Sequence, residues 1–309
     1  MRYYYLLFFS FIFNQVFSQN KPLISTSELI VNSTIRIEGS GEEIIDGQQM
    51  HFTSTGTGFY FEFKFDSITI PVIVTNYHVI ENTNSQILRF TEKNSDGTPA
   101  YGKKITEYID TFSSKWIKHP SEDLAILPLN PILNNIKKTK NKDVFVVNYD
   151  ESLIPSKESL NELNSIEDVL MIGYPEGFWD STNNLPIVRK GITATPLQLD
   201  YNGHSQFLLD IPVFPGSSGS PIVLSNQGSY SGKRGGMTVG SRLFLLGIIV
   251  QSINYNAEGK LIYPGNTIKT ATQLPFNVGV VIKSQELLKF RPILQKLLDQ
   301  YLSSPPAKK

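Results

Sequence analysis

Cysteine is absent from this 309-residue chain, which excludes disulfides, thiolate metal sites and a cysteine nucleophile. Charge imbalance is absent too. With 28 basic and 28 acidic side chains, no net field draws the molecule to nucleic acid or to an anionic membrane surface, so neither is an expected partner. The sequence contains no internal repeat, no glycine-rich phosphate loop and no HExxH zinc motif, and no metal or other cofactor is expected. Charged residues are sparse at 18%, against a usual ~25%. The 40% of hydrophobic residues is still enough to fill one large core or two ordinary ones.

Long apolar runs are confined to the N-terminus. Arg2 precedes "YYYLLFFSFIF", and Val16-Phe17-Ser18 follows with side chains that suit signal peptidase. Residues 1–18 therefore read as a secretory signal cleaved near Ser18. A membrane anchor would need roughly 20 apolar residues, and Asn14 and Gln15 end the run early. The expectation is a secreted or periplasmic protein with no membrane span.

What the rest of the chain has in abundance is short apolar runs rich in β-branched and aromatic residues, set apart by Gly, Pro, Asn, Asp and Ser. Examples are "GFYFEFKF", "ITIPVIVTNYHVI", "DLAILPL", "DVLMIGYP", "SQFLLDIPV" and "RLFLLGIIVQS". No helical crossovers separate them, so the reading is all-β, a sandwich or barrel. "NNIKKTKNK" (134–142) reads as a solvated loop and "PSKESLNELNS" (155–165) as a helical connection between two halves. "SQELLKFRPILQKLLDQYL" (284–302) has helical spacing with Pro292 as a break, and packs on the body or offers a partner site.

"PGSSGSPI" (215–222) raises the question of chemistry. A serine hydroxyl is a poor nucleophile unless a base takes its proton and a third group fixes that base. The four histidines supply the candidates. His78 closes "VIVTNYHVI", whereas His119 in "KHPSED" reads as a surface residue, and His51 and His204 have polar neighbours. Asp123 opens "DLAILPL", where a carboxylate entering the interior needs hydrogen-bond partners. Ser218 lies between Gly216 and Gly219, whose freedom to take φ > 0 lets the backbone approach a substrate. Each alone is more often structural than catalytic.

Together they follow the order His…Asp…Ser, that of the chymotrypsin-type barrels rather than of subtilisins or α/β-hydrolases. From about Gly56 to Leu288 the sequence resembles trypsin-like serine proteases of the chymotrypsin fold, in the style of bacterial HtrA-type and glutamyl-endopeptidase-like domains. The resemblance is carried by "GTGFYF", "VTNYHVI", "DLAILPL", "MIGYPEGF", "VRKGITATP", "FPGSSGSPIV", "LLGIIVQS" and "NVGVVI". It implies two six-stranded antiparallel β-barrels with a C-terminal helix. The expected layout is an N-terminal extension (19–50), a first barrel (51–154), the connection (155–165), a second barrel (166–283) and a helix and tail (284–309).

It further implies His78 as general base, Asp123 as its orienting carboxylate and Ser218 as nucleophile, with the N–H groups of Gly216 and Ser218 as oxyanion hole. The substrate is then a polypeptide, and the alternative is an inactive protease-like binding protein or a latent protease. Substrate-binding positions fall on Pro212, Val250, Gln251, Ser252 and Gly279. All are uncharged, so the residue before the scissile bond is expected to be uncharged, with recruitment of His204 for a glutamyl preference as the alternative. Two departures stand out. Ser220 occupies the place of a second glycine after the nucleophile, and no PDZ domain is expected after the protease region.

Overall fold

Strands that pack on both faces cannot alternate apolar with polar; they read as continuous apolar runs. The computed structural model describes residues 25–303 apart from 46–47, 111–115, 234 and 264–265, and uses those runs as the walls between three cores. The expected signal segment lies outside the described residues.

The first unit contains β1 (Thr34–Ile45), β2 (Gln48–Phe65), β3 (Ile68–Thr75), β4 (Ser85–Lys93), β5 (Pro99–Asp110), β6 (Ile117–Lys118), β7 (Ala125–Pro128), β8 (Val144–Phe145) and β9 (Tyr149–Asp150). The main path runs β5-β4-β1-β2-β3-β7-β6; β8 pairs with β4, and β9 lies parallel to β2. β6, β8 and β9 are only two residues long each. Helix α1 (Thr26–Val31) precedes them, started by a capping box between Ser25 and Glu28.

The second unit is a closed barrel in the order β10-β11-β12-β17-β16-β13. Its strands are β10 (Asp168–Gly173), β11 (Ile187–Thr193), β12 (Gln206–Asp210), β13 (Pro221–Asn226), β16 (Arg242–Tyr263) and β17 (Asn266–Lys283). A small hairpin, β14 (Ser229–Ser231) with β15 (Met237–Val239), lies between β13 and β16. Between the two sheets, the segment of helix-like composition contains helix α4 (Lys157–Glu162).

Alternation sorts the side chains. On β2 and β3, Tyr60 and Ile73 face the core of the first unit, whereas Phe59, Phe61, Phe63, Val72 and Val74 face away from it. On β10, β13 and β17, Met171, Ile222 and Val281 fill the barrel, whereas Ile172, Val223 and Ile282 point out. The outward sets meet in one shared core, closed by Leu287, Phe290 and Leu294 from the C-terminus.

Several local expectations change. Residues 34–45, placed in an N-terminal extension, form β1 in the middle of the sheet, hidden by the polar composition of "EGSGEE". Most of the lysine-rich stretch is not a loop but the end of α3 (Asn130–Lys140): Ile132, Leu133 and Ile136 share a helical face on the first core, Lys137 and Lys140 pair with Asp143 and Glu107, and Lys142, just beyond the helix, pairs with Glu92. Pro292 sits in the first turn of α5 (Arg291–Ser303), where a missing N–H is tolerated; the preceding stretch Ser284–Phe290 is a 3₁₀-helix. His119 is not a surface residue: it is 2% exposed.

Candidate active site

The chain leaves β3 at Thr75 and turns into a single helical turn, α2 (Tyr77–Ile80), so His78 projects from a helix rather than closing the strand. Buried Val79 and Ile80 anchor the turn. It packs so closely on β2 that a Cβ at Gly56 would lie 2.3 Å from Val79 Cγ1. Asp123 meets α2 at two points. His78 Nδ1 lies 2.5 Å from Asp123 Oδ2, and the His78 backbone N–H donates to Asp123 Oδ1 at 2.9 Å. Asn76 Nδ2 donates to the Asp123 carbonyl at 2.8 Å, fixing the backbone as well. Burial pushes the Asp123 carboxyl upward, but hydrogen bonds and charge from His78, with the Tyr77 N–H, outweigh it and hold the group below the usual carboxylate range.

Ser218 lies between two left-handed glycines, Gly216 (φ 87°) and Gly219 (φ 86°). Space alone would demand glycine: a Cβ at Gly219 would lie 2.0 Å from the Thr57 carbonyl oxygen, and one at Gly216 2.5 Å from that of Tyr174. Thr57 is the fixture of this loop, and sequence reasoning gave it no role. Buried on β2, it donates from its N–H to the Ser218 carbonyl and from its hydroxyl to the Gly216 carbonyl, both at 2.9 Å, and its hydroxyl accepts from the Tyr174 N–H at 3.1 Å. One residue of the first unit thus pins the serine loop of the second. Among the described residues no protein acceptor takes the N–H groups of Gly216 and Ser218, which leaves two donors for a ligand oxygen.

Ser220 is fully buried and its hydroxyl has no hydrogen-bond partner. Its room comes from Gly173, where a Cβ would lie 2.0 Å from Ser220 Oγ. The departure from a second glycine is therefore absorbed by β10.

His78, Asp123 and Ser218 line one cleft of about 650 Å³ between the units. Ser218 Oγ donates to the Val250 carbonyl at 3.4 Å, and no hydrogen bond joins it to His78. Val250, Gln251 and Ser252 line the cleft. Pro212 does not: it is exposed, its carbonyl taken by the Arg189 guanidinium at 2.7 Å. Gly279 is buried against Ile249 and Val213, and His204 sits in an exposed turn outside the lining. The walls also include Glu176, Val213, Phe214, Asn254, Gln273 and Pro275, none of them singled out from the sequence. Glu176, at φ 47°, carried a faint signal in the turn-like "YPEG". Asn254, Gln273 and Pro275 carried none, because β16 and β17 run past the barrel as one long hairpin whose residues gave no sign of meeting the site.

Among the described residues no three His, Asp or Glu side chains are grouped to hold a metal, and no helix is long and apolar enough to cross a membrane. No curated protein matches the chain. Among solved structures it is similar to a scabies mite inactivated protease paralogue (12% identity over 87% of this chain and 95% of that one, TM-score 0.37). It is also similar to a thermostable serine protease from an extremophilic microorganism (11% identity over 82% of this chain and 92% of that one, TM-score 0.39). The model of the trypsin-like peptidase domain matches residues 56–232, a span that holds the second half of β2, all of α2, Asp123 and the serine loop. Matched over more than half its length, the chain belongs to the trypsin-like peptidase domain family.

Proposed function

We propose that this protein is an exported serine endopeptidase that cleaves polypeptides through an acyl-enzyme. The observation that carries the reading is the two-point grip of Asp123 on His78 across a shared cleft from Ser218. With Nδ1–H held by the carboxylate, His78 presents Nε2 as a base. Rotation of the Ser218 hydroxyl away from the Val250 carbonyl would bring its proton to that nitrogen; such contacts often tighten only when substrate binds. The alkoxide then attacks the scissile carbonyl, whose oxyanion is received by the Gly216 and Ser218 N–H groups. Proton return from His78 releases the amine, and water, activated the same way, hydrolyses the ester. Val250, Gln251 and Ser252 offer the substrate neutral walls.

Treatment of residues 19–309 with a fluorophosphonate, followed by intact mass, tests this. A single adduct that is absent in Ser218→Ala is the expected result, and peptide turnover by the same preparation should fall by about 10⁴-fold or more in His78→Ala. The Ser218–Val250 contact favours a second reading, a latent resting state. Absence of an adduct on folded protein would move that reading ahead.

A further inference from the structure

The most unusual titratable group outside the cleft is His119, whose side chain is wholly buried at the start of the loop that ends in Asp123. The loop is closed around the imidazole. The His119 N–H donates to the Leu124 carbonyl at 2.9 Å, and inside that closure the backbone N–H groups of Ser121 and Glu122 donate to Nδ1 at 3.2 and 2.8 Å. Two donors on Nδ1 make it an acceptor, so the proton lies on Nε2, which donates to the Glu286 carbonyl at 3.1 Å. The Phe290 ring stands edge-on to the imidazole at 5.0 Å, and Phe290, like Leu287 of the same 3₁₀-helix, is fully buried. The 3₁₀-helix Ser284–Phe290 therefore seals the imidazole on one side while the ring organises the Asp123 turn on the other.

We propose that His119 is a positioning residue for the active site: its neutral Nδ1 gathers the Ser121 and Glu122 N–H groups and so delivers Asp123 to His78, with the C-terminal 3₁₀-helix as its clamp. The proposal rests on the protease reading for its catalytic consequence, but not for its geometry. It differs from a packing role because only one nitrogen carries the effect. His119→Asn keeps an acceptor near the Nδ1 position and gives up the bond to Glu286. His119→Gln keeps a donor near the Nε2 position and gives up the acceptor.

The test compares both variants with the wild-type full chain by kcat and KM on a peptide, fluorophosphonate labelling rate, and the low-field NMR resonance of the His78 Nδ1–H bonded to Asp123. His119→Gln is expected to lower kcat and the labelling rate by about 10–100-fold with KM little changed, and to lose the low-field resonance. His119→Asn is expected to keep kcat within about threefold and to keep the resonance. A folded His119→Gln with wild-type resonance and kcat overturns the proposal, as do equal losses in both variants that follow their melting temperatures. If neither variant folds, ¹H–¹⁵N spectra of the wild type decide: a His119 that is not the Nε2–H tautomer near pH 7 overturns it. If peptides are not cleaved at all, the protease reading fails while the resonance still reports on positioning, so the two failures are distinguishable.

Discussion

A buried hydroxyl that gives up water without gaining a partner is a standing cost of about 1–3 kcal/mol. Ser220 is in that position, fully buried with an unpartnered Oγ, one residue beyond the left-handed Gly219. Its backbone does the organising, since its N–H donates to the Ser217 carbonyl and its carbonyl accepts from Ile249, both at 3.0 Å. Ser220→Ala should therefore leave kcat unchanged and raise stability by up to about 1 kcal/mol in urea unfolding. A loss of stability of that size would mean the hydroxyl has a partner after all. His119 makes the opposite case, a polar group whose contacts are complete only when it is neutral. Desolvation lowers its pKa from the ordinary 6.5, aided by Lys289, against the Glu286 backbone contact and the Glu286 and Glu122 charges, which raise it. The sign follows from linkage: the unfolded chain binds the proton more readily, so stability is complete above the unfolded value and declines as pH falls through and below it, by at most about 1.4 kcal/mol per pH unit. Asp123, also depressed, adds its own loss only near and below its ordinary 3.8. Unfolding curves from about pH 7 to 5 should show the first decline in the wild type and a flatter response in His119→Asn. Equal slopes would place the titrating group elsewhere.

At the scale of elements, α2 is too short to hold itself and depends on contact with β2. A helix of one turn has no propensity to speak of; the fit of Val79 against Gly56 sets where His78 points. Gly56→Ala should push α2 away from Asp123 and lower kcat/KM by about 10–100-fold, and Val79→Ala in the same chain should restore much of it by removing the obstructing methyls. If the double variant is no better than Gly56→Ala alone, the glycine matters for backbone freedom and not for space. The sequence made β7, β13 and parts of β2 and β3 legible for one physical reason: Phe59–Phe61, Val72–Val74, Ala125–Leu127 and Pro221–Leu224 are buried runs, apolar without interruption. It hid β1, because "EGS" (38–40) pairs on both sides and the "GEE" after it pairs with β2, yet none of the six carries an apolar side chain. It hid the burial of His119 as well, since Lys118, Ser121 and Glu122 surround it in the chain while Phe290 surrounds it in space. His78, Asp123 and Ser218 were readable as types in an order. Thr57, Glu176 and Gln273 were not, because their roles depend on which loops the two units bring together.

At the scale of the whole molecule, the shared core makes the two units one cooperative body. Phe59, Phe61 and Phe63 from β2, Ile172 and Val223 from the barrel, and Leu287, Phe290 and Leu294 from the C-terminus all bury in the same cluster. The cleft lies between the same two units, so loosening the cluster is expected to move His78 and Asp123 away from Ser218. Phe61 is wholly buried and packs edge-on against Phe63 with ring centroids 5.0 Å apart. Phe61→Ala should cost about 3–5 kcal/mol through lost burial and the cavity left behind. Because both units contribute to the cluster that holds Phe61, calorimetry should still give a single transition, shifted down as a whole, and fluorophosphonate labelling should be lost over the same temperatures. Two resolved transitions, with only the first-unit strands melting early, would show that the units fold separately and that the seam is an interface between independent domains.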